Sequence, residues 1–347
     1  MDLTQPSARR ILKRRRSNVV QKCISLSQEA LVRTKQLFLD SSLPLVAYPV
    51  INGVDLIQWA ENNLDFIDEH LSKHGGLLFR GFGVKSPEEF ERFIRAVCAE
   101  LLPYKERSSP RTQVSGNIYS STDYPADHSI FLHNENSYQN NWPLKIFFSC
   151  QRPAERGGET PIADCRRVFR RIAPDIRERF IEKGWMYVRN FGDGFGLDWQ
   201  TVFQTDDKSA VEEHCRDNDI EVEWKYGDRL RTRAVRPAVR KHPKTGEEVW
   251  FNHATFFHIS TLEPQAREFL LEEFAEDDLP TNTFYGDGSA IEPSVVDQLR
   301  AAYLQETIVF PWQRGDILML DNVLTAHGRK PYIGSRKILV GMAELGS

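Results

Sequence analysis

Apolar residues at Leu56, Trp59, Ala60, Leu64, Ile67 and Leu71 recur at helical spacing, and Gly75-Gly76 ends the pattern, which predicts one helix there. Residues 77–82 read as a strand. Ser86-Pro87-Glu88-Glu89 is a capping box with proline at the first helical position, and Phe90, Phe93, Ile94 and Val97 continue that helix. Residues 101–130 are rich in Ser, Pro, Thr and Asp and lack any period. They predict a long loop of the kind that serves as a lid or binding loop. Residues 144–148 read as a strand, and two short helices are expected within 164–183. Beyond 185 strands dominate, at 185–190, 221–226, 230–236, 249–252, 307–310, 317–321 and 336–342. Helices at 205–216, 263–275 and 293–304 interrupt them, and Pro243-Lys244-Thr245-Gly246 has the chemistry of a hairpin tip. Many strands with a few helices predict a mainly β fold with helical decoration, a sandwich or jelly roll. No G-x-G-x-x-G turn or P-loop follows a strand, which leaves nucleotide-binding folds without support.

Composition narrows the class. The 347 residues are 40% hydrophobic and 27% charged, enough to bury a sizeable core and to exclude wholesale disorder. No apolar run reaches the length of a transmembrane helix. The net charge of −4 is unevenly spread: Arg9, Arg10, Lys13, Arg14, Arg15 and Arg16 against Asp2 make residues 1–16 +5, leaving −9 for the rest. An acidic body argues against a nucleic-acid-binding surface. Residues 1–25 are expected to be a basic, flexible leader and residues 26–347 one domain with a lid loop at about 101–130. Arg9-Arg10 is followed by Arg14-Arg15-Arg16 rather than an apolar stretch, so an export signal is not expected. Five scattered cysteines without a C-x-x-C argue against a disulfide framework or structural zinc. They fit a reducing, cytoplasmic location.

His133-Asn134-Glu135 is the one H-x-[D/E] pattern in the chain. On a strand, side chains at i and i+2 share a face, so one imidazole and one carboxylate would grip one ion together. With 9 histidines and 49 acids, about one such pair arises by chance, so the motif is weak alone. It gains weight from His327, in Thr325-Ala326-His327-Gly328-Arg329, and from Arg336 nine residues later. Two histidines and a carboxylate make a facial triad that leaves open positions on iron(II) for a chelating cosubstrate and dioxygen. A nearby arginine suits a dicarboxylate cosubstrate.

Together with Gly157-Gly158-Glu159-Thr160-Pro161-Ile162-Ala163-Asp164, Trp250-Phe251-Asn252, Phe310-Pro311-Trp312-Gln313-Arg314-Gly315-Asp316 and Asp321-Asn322, these motifs resemble the taurine dioxygenase/TfdA family of iron(II)- and 2-oxoglutarate-dependent oxygenases, and within it the SyrP-like branch. The resemblance spans about residues 25–345. It implies a double-stranded β-helix, a clavaminate synthase-like jelly roll, with His133, Glu135 and His327 as iron ligands. It also implies that Thr160 and Arg336 hold 2-oxoglutarate, with Arg329 as the fallback arginine. Some relatives place that arginine four residues further on, where this chain has Val340. Related halogenases lack the carboxylate ligand, so Glu135 points to hydroxylation or a kindred oxidation such as desaturation or epoxidation.

The resemblance further implies an amino acid or carrier-tethered aminoacyl substrate in specialised metabolism of the nonribosomal peptide type, with a peptidyl carrier protein as a candidate partner. Tyr119 and Thr122 in the long loop, and Asn252 and His253 in the aromatic segment, are the substrate-pocket candidates. Ser121 and His258 are lesser ones. The competing readings are an oxygenase of another free small carboxylate, a non-catalytic jelly-roll binding protein, and an interaction protein acting through its basic tail.

Overall fold

The computed structural model describes residues 31–103, 111–121, 124–192 and 194–347. The basic leader expected over 1–25 and the candidate Thr122 lie outside them. Two sheets face each other to form the jelly roll. The larger has eight strands in the order Val32–Phe38, Ser41–Pro49, Gly76–Phe79, Ile317–Asp321, Trp142–Arg152, Lys337–Gly346, Ile118–Ser120 and Gln113–Ser115. The smaller has Thr307–Ile308, Ile162–Asp164, Thr325–Arg329 and Ile130–His133.

The central strands of the large sheet are buried on both faces. Leu318 and Leu320 point into the barrel with Ile146, Phe148, Ile338, Val340 and Met342. Ile317 and Met319 point outward to a second core with Phe147 and Leu339, beneath the helix Pro87–Val97 and its Phe90, Phe93 and Ile94. Alternation is therefore hidden in the sequence, because both sides of the pleat are apolar.

Thr307–Ile308 pairs directly with Ile162–Asp164, so residues 165–306 leave the small sheet and return to it. They carry a further four-stranded sheet, Ile220–Lys225, Arg229–Arg236, Trp185–Phe191 and Thr281–Tyr285. They also carry the helices Cys165–Arg171, Pro174–Lys183 and Pro293–Gln305, packed over Trp185, Trp250 and Tyr285.

Two expectations are corrected. The helix expected through Leu56–Leu71 is two, Leu56–Glu61 and Leu64–His74. Asn62 and Asn63 divide them, their side-chain amides donating to the carbonyls of Gln58 and Trp59 and competing with the helical ladder. The long loop at 101–130 contains the hairpin Gln113–Ser115 and Ile118–Ser120. The hairpin Val32–Phe38 and Ser41–Pro49 was not foreseen. Its outer strand exposes most of its side chains and reads as polar coil. The capping box at Ser86 and Glu89 forms as expected, and the turn at 243–246 joins Val239–Lys241 to Glu248–Trp250. Among the described residues no helix is long and apolar enough to cross a membrane, and Cys98, Cys150, Cys165 and Cys215 are free thiols.

Candidate active site

The site is assembled by strand register. His133 ends one strand of the small sheet and pairs across the ladder with His327 of its neighbour. Their rings lie with centroids 4.5 Å apart. The His133 Nδ1–H donates to the Phe131 carbonyl at 2.9 Å, which turns Nε2 toward His327 and Glu135. Burial, then the neighbouring His327, pushes His133 down to about 3, so its imidazole is neutral and ready to act as a ligand.

Glu135 does not reach the site as an i+2 strand partner. The strand stops at His133, and Glu135 stands in the following turn, where Asn136 takes a left-handed φ of 56°. Asn322 fixes this turn. Its Oδ1 accepts from the Glu135 N–H at 2.7 Å, and its Nδ2 donates to the carbonyls of Glu135 at 2.9 Å and Pro143 at 2.8 Å. Asn134 Nδ2 in turn donates to the Asn322 carbonyl at 2.6 Å. All three residues are buried. Glu135 Oε2 comes within 3.5 Å of His327 Nε2, and one ligand atom from each of His133, Glu135 and His327 lies within 4.8 Å of the others.

A cation already faces this carboxylate. Arg111 Nη2 lies 2.9 Å from both Glu135 oxygens. Burial alone would raise the Glu135 carboxyl, but Arg111 and then His327 outweigh it and hold the group well below the usual carboxylate range. An ionised carboxylate that accepts a cation between two imidazoles is the donor set that iron(II) takes in facial-triad oxygenases, so the residues fit the metal.

A cavity of about 30 Å3 adjoins the triad, lined by His133, His327, Thr160, Arg336, Arg111 and Phe148 among others. Arg336 Nε donates to the Gly158 carbonyl at 2.8 Å and Nη1 to Ser121 Oγ at 3.1 Å. Desolvation, then Arg329, pushes its guanidinium down to about 10, a cost that a bound anion would relieve. Gly158 has φ 73°, and a Cβ there would come 3.0 Å from Arg336 Cδ, so the double glycine leaves room for the arginine stem. Thr160 Oγ1 accepts from Trp312 Nε1 at 3.2 Å, which leaves its hydroxyl proton to donate into the cavity.

The remaining candidates are placed differently. Arg329 lines the cavity, but its guanidinium donates to the carbonyls of Tyr124, Pro125 and His128 and ties that loop down. Val340 presents an apolar wall. Tyr119 is buried in the barrel core, paired across the ladder with Val340 of the cavity wall, and does not itself line the cavity. Asn252 is buried and committed to the Ala238 carbonyl and the Ala254 N–H, holding its own turn. His253 lies near the metal ligands, its ring 5.5 Å from that of His133, stacked on Phe257 and 2.6 Å from Ser137 Oγ. Phe256 packs on His133 at 4.7 Å. His258 is remote and caps the turn at Ser260.

Sequence reasoning missed Arg111, which carries no motif, and the role of Asn322. The latter's signal was present in the Asp321-Asn322 pair that closes a buried strand.

Residues 41–343 match the family described as taurine catabolism dioxygenase TauD, TfdA family. The dapdiamide synthesis protein DdaC of Enterobacter agglomerans is 44% identical over 278 residues, covering 80% of this chain and 84% of that protein. A clavaminate synthase-like protein of Arabidopsis thaliana is 29% identical over 314 residues, covering 88% and 91%. The crystal structure of PvcB from Pseudomonas aeruginosa shares the fold, with a TM-score of 0.54 at 15% identity over 92% of each chain. A taurine dioxygenase from Burkholderia xenovorans does so at 0.54 and 16%, covering 91% of this chain and 90% of that one. With most of its length matched and a His–Glu–His triad at the mouth of a jelly roll, the chain belongs to the TauD/TfdA family and is an iron(II)- and 2-oxoglutarate-dependent dioxygenase.

Proposed function

We propose that this dioxygenase hydroxylates an unactivated C–H bond of an amino acid or aminoacyl group in specialised metabolism, with His133, Glu135 and His327 as the iron ligands and Arg336 and Thr160 as the cosubstrate anchors. The observation that carries the reading is Glu135. A carboxylate completes the triad where related halogenases leave that position to chloride, and Asn322 clamps its backbone from two sides. The relationship to a protein of dapdiamide synthesis supports a biosynthetic role.

Bound iron(II) with 2-oxoglutarate and dioxygen supplies the oxidising power for C–H cleavage. The protein's own residues do the rest. The Phe131 carbonyl and Asn322 orient two of the three ligands. Arg336 would pair with the far carboxylate of the cosubstrate, and Thr160 would donate a hydrogen bond to it. Phe148, Ile130 and Val340 keep the cavity wall apolar and exclude water. His253 and Phe256 pack against the His133 ring and hold it in place.

Anaerobic titration of the apoprotein with iron(II) and 2-oxoglutarate tests the reading. A visible charge-transfer band is expected, absent in His133→Ala; well-folded protein without the band refutes it. Arg336→Ala should raise the 2-oxoglutarate requirement by about a hundredfold, since it removes a buried charged pair. An unchanged requirement moves the anchor to another arginine. Succinate release across free and carrier-bound amino acids then identifies the substrate.

A further inference from the structure

Trp185–Phe191 lies inside the sheet built within residues 165–306, and its alternate side chains face opposite ways. On one face of that sheet Arg231 and Arg233 pair with Glu223, and Arg231 pairs with Asp278 as well. Arg189 stands on the other face, between Tyr187 and Phe191. Only 9% of it is exposed, yet among the described residues its guanidinium has no hydrogen bond and no ion pair. Its contacts are two rings, Phe191 at 4.7 Å and Tyr187 at 5.7 Å. Ring faces hold a guanidinium in place, but they leave the N–H donors along its edges unused.

The flanking strands set a threonine beside Arg189 on each side, Thr232 in register on one and Thr281 on the other. Directly opposed residues of a sheet share a face. Thr283, one row nearer Tyr187, spends its hydroxyl on the Ala254 carbonyl at 2.7 Å. The hydroxyls of Thr232 and Thr281 make no hydrogen bond among the described residues. One row of the sheet therefore holds a buried cation and two hydroxyls with donors to spare. A guanidinium buried without an anion is costly, and its planar fork suits a carboxylate.

This row connects to the metal ligands through stacked rings. Tyr187 stacks on Phe257 at 4.4 Å, Phe257 on His253 at 4.8 Å, and the His253 ring lies 5.5 Å from that of His133. Arg189 thus stands several ring widths from the triad, beyond direct reach of the iron.

We propose that Arg189, flanked by Thr232 and Thr281, is the receptor for an ionised carboxylate at the end of the substrate remote from the carbon that is oxidised. The inference rests on the dioxygenase reading above and deepens it by naming the substrate class. The substrate is an elongated acid, of the kind made by acylating an amino acid or joining two, and the row of rings from His133 to Tyr187 matches its length.

Dipeptides and N-acylated amino acids, each as the free acid and as its carboxamide, are the probes. They are titrated into protein loaded with iron(II) and 2-oxoglutarate, and read by shift of the charge-transfer band and by succinate release. The unaltered protein should favour one or more acids over the matching amides by about tenfold or more. Arg189→Gln should bring that ratio close to one, Arg189→Lys should keep part of it, and Thr232→Val should lower it by about threefold. Equal response to acid and amide, no response to any free acid, or an acid preference that survives Arg189→Gln overturns the proposal. Iron(II) and 2-oxoglutarate affinities of Arg189→Gln should stay within about threefold of the unaltered protein; a loss of about a hundredfold for 2-oxoglutarate would make Arg189 the cosubstrate anchor and overturn it too. Failure of the parent reading shows separately, as absence of the charge-transfer band in the unaltered protein.

Discussion

Ile317–Asp321 and Thr325–Arg329 are consecutive strands of equal length, both fully buried, yet they are built on opposite principles. The first is apolar on both faces and is held by packing: Leu318 and Leu320 inward, Ile317 and Met319 outward. The second is Thr-Ala-His-Gly-Arg, and its polar groups are matched by name. Thr325 Oγ1 donates to the Gly75 carbonyl, Arg329 ties the 124–128 loop, and His327 stands opposite His133. Gly328 lies where a Cβ would come 2.5 Å from the Ile130 carbonyl oxygen, so the two strands of the site approach as closely as they do only because a side chain is missing. One strand supplies stability, and its neighbour spends buried volume on chemistry. The turn between them, Asp321-Asn322, serves both. Asp321 Oδ1 accepts the N–H groups of Val323 and Leu324, Asp321 Oδ2 accepts from His242, and Asn322 positions Glu135.

The contrast can be broken at either strand. His327→Ala should abolish iron binding in an anaerobic titration while lowering the thermal midpoint less than a core truncation does. Leu318→Ala should do the reverse. It should cost about 2–5 kcal/mol by denaturant unfolding, with iron affinity of the folded fraction unchanged. Asn322→Ala should move both readouts together. It strands the Glu135 N–H and two carbonyls in the interior at about 1–3 kcal/mol for each group left without a partner, and it should weaken iron binding by about 10–100-fold through misplaced Glu135. If Asn322→Ala alters stability alone, the turn does not orient the ligand.

The smallest effect concerns protons. His258, outside the site, is pushed down from 6.5 to about 4 by burial. The unfolded chain therefore binds a proton that the folded chain refuses between those values. Stability from this group is complete above pH about 6.5 and declines as pH falls toward 4. His258→Gln should flatten the slope of apoprotein stability in that window; an unaltered slope would assign the acid sensitivity to other groups.

The fold class was legible because the buried strands around Phe148, Leu318 and Val340 are long apolar runs separated by turn chemistry. The capping box at Ser86 and Glu89 was legible because its hydrogen bonds span three residues. The outer hairpin at Val32–Pro49 was not, because an edge strand with exposed side chains has no apolar period. At the site, His133, Glu135, His327, Thr160 and Arg336 were named from motifs, but the expected reason for Glu135 was wrong: it comes from a clamped turn, not from the strand face. Tyr119 and Asn252 were singled out by their neighbourhood in sequence, which says nothing of which way a side chain turns.

Local chemistry, then, is what the amino-acid sequence by itself determined: which residues can ligate iron, which turns glycine permits, where helices are capped, and that the chain carries a jelly roll's worth of apolar strands. Tertiary structure alone decided that His133 pairs with His327 across the ladder, that Asn322 closes on Glu135, and that Arg111 bonds to the Glu135 carboxylate. Those contacts join residues 194, 187 and 24 positions apart. They depend on strand register and on the burial of charge, which are set by the packing of the whole barrel and not by any local stretch of chain.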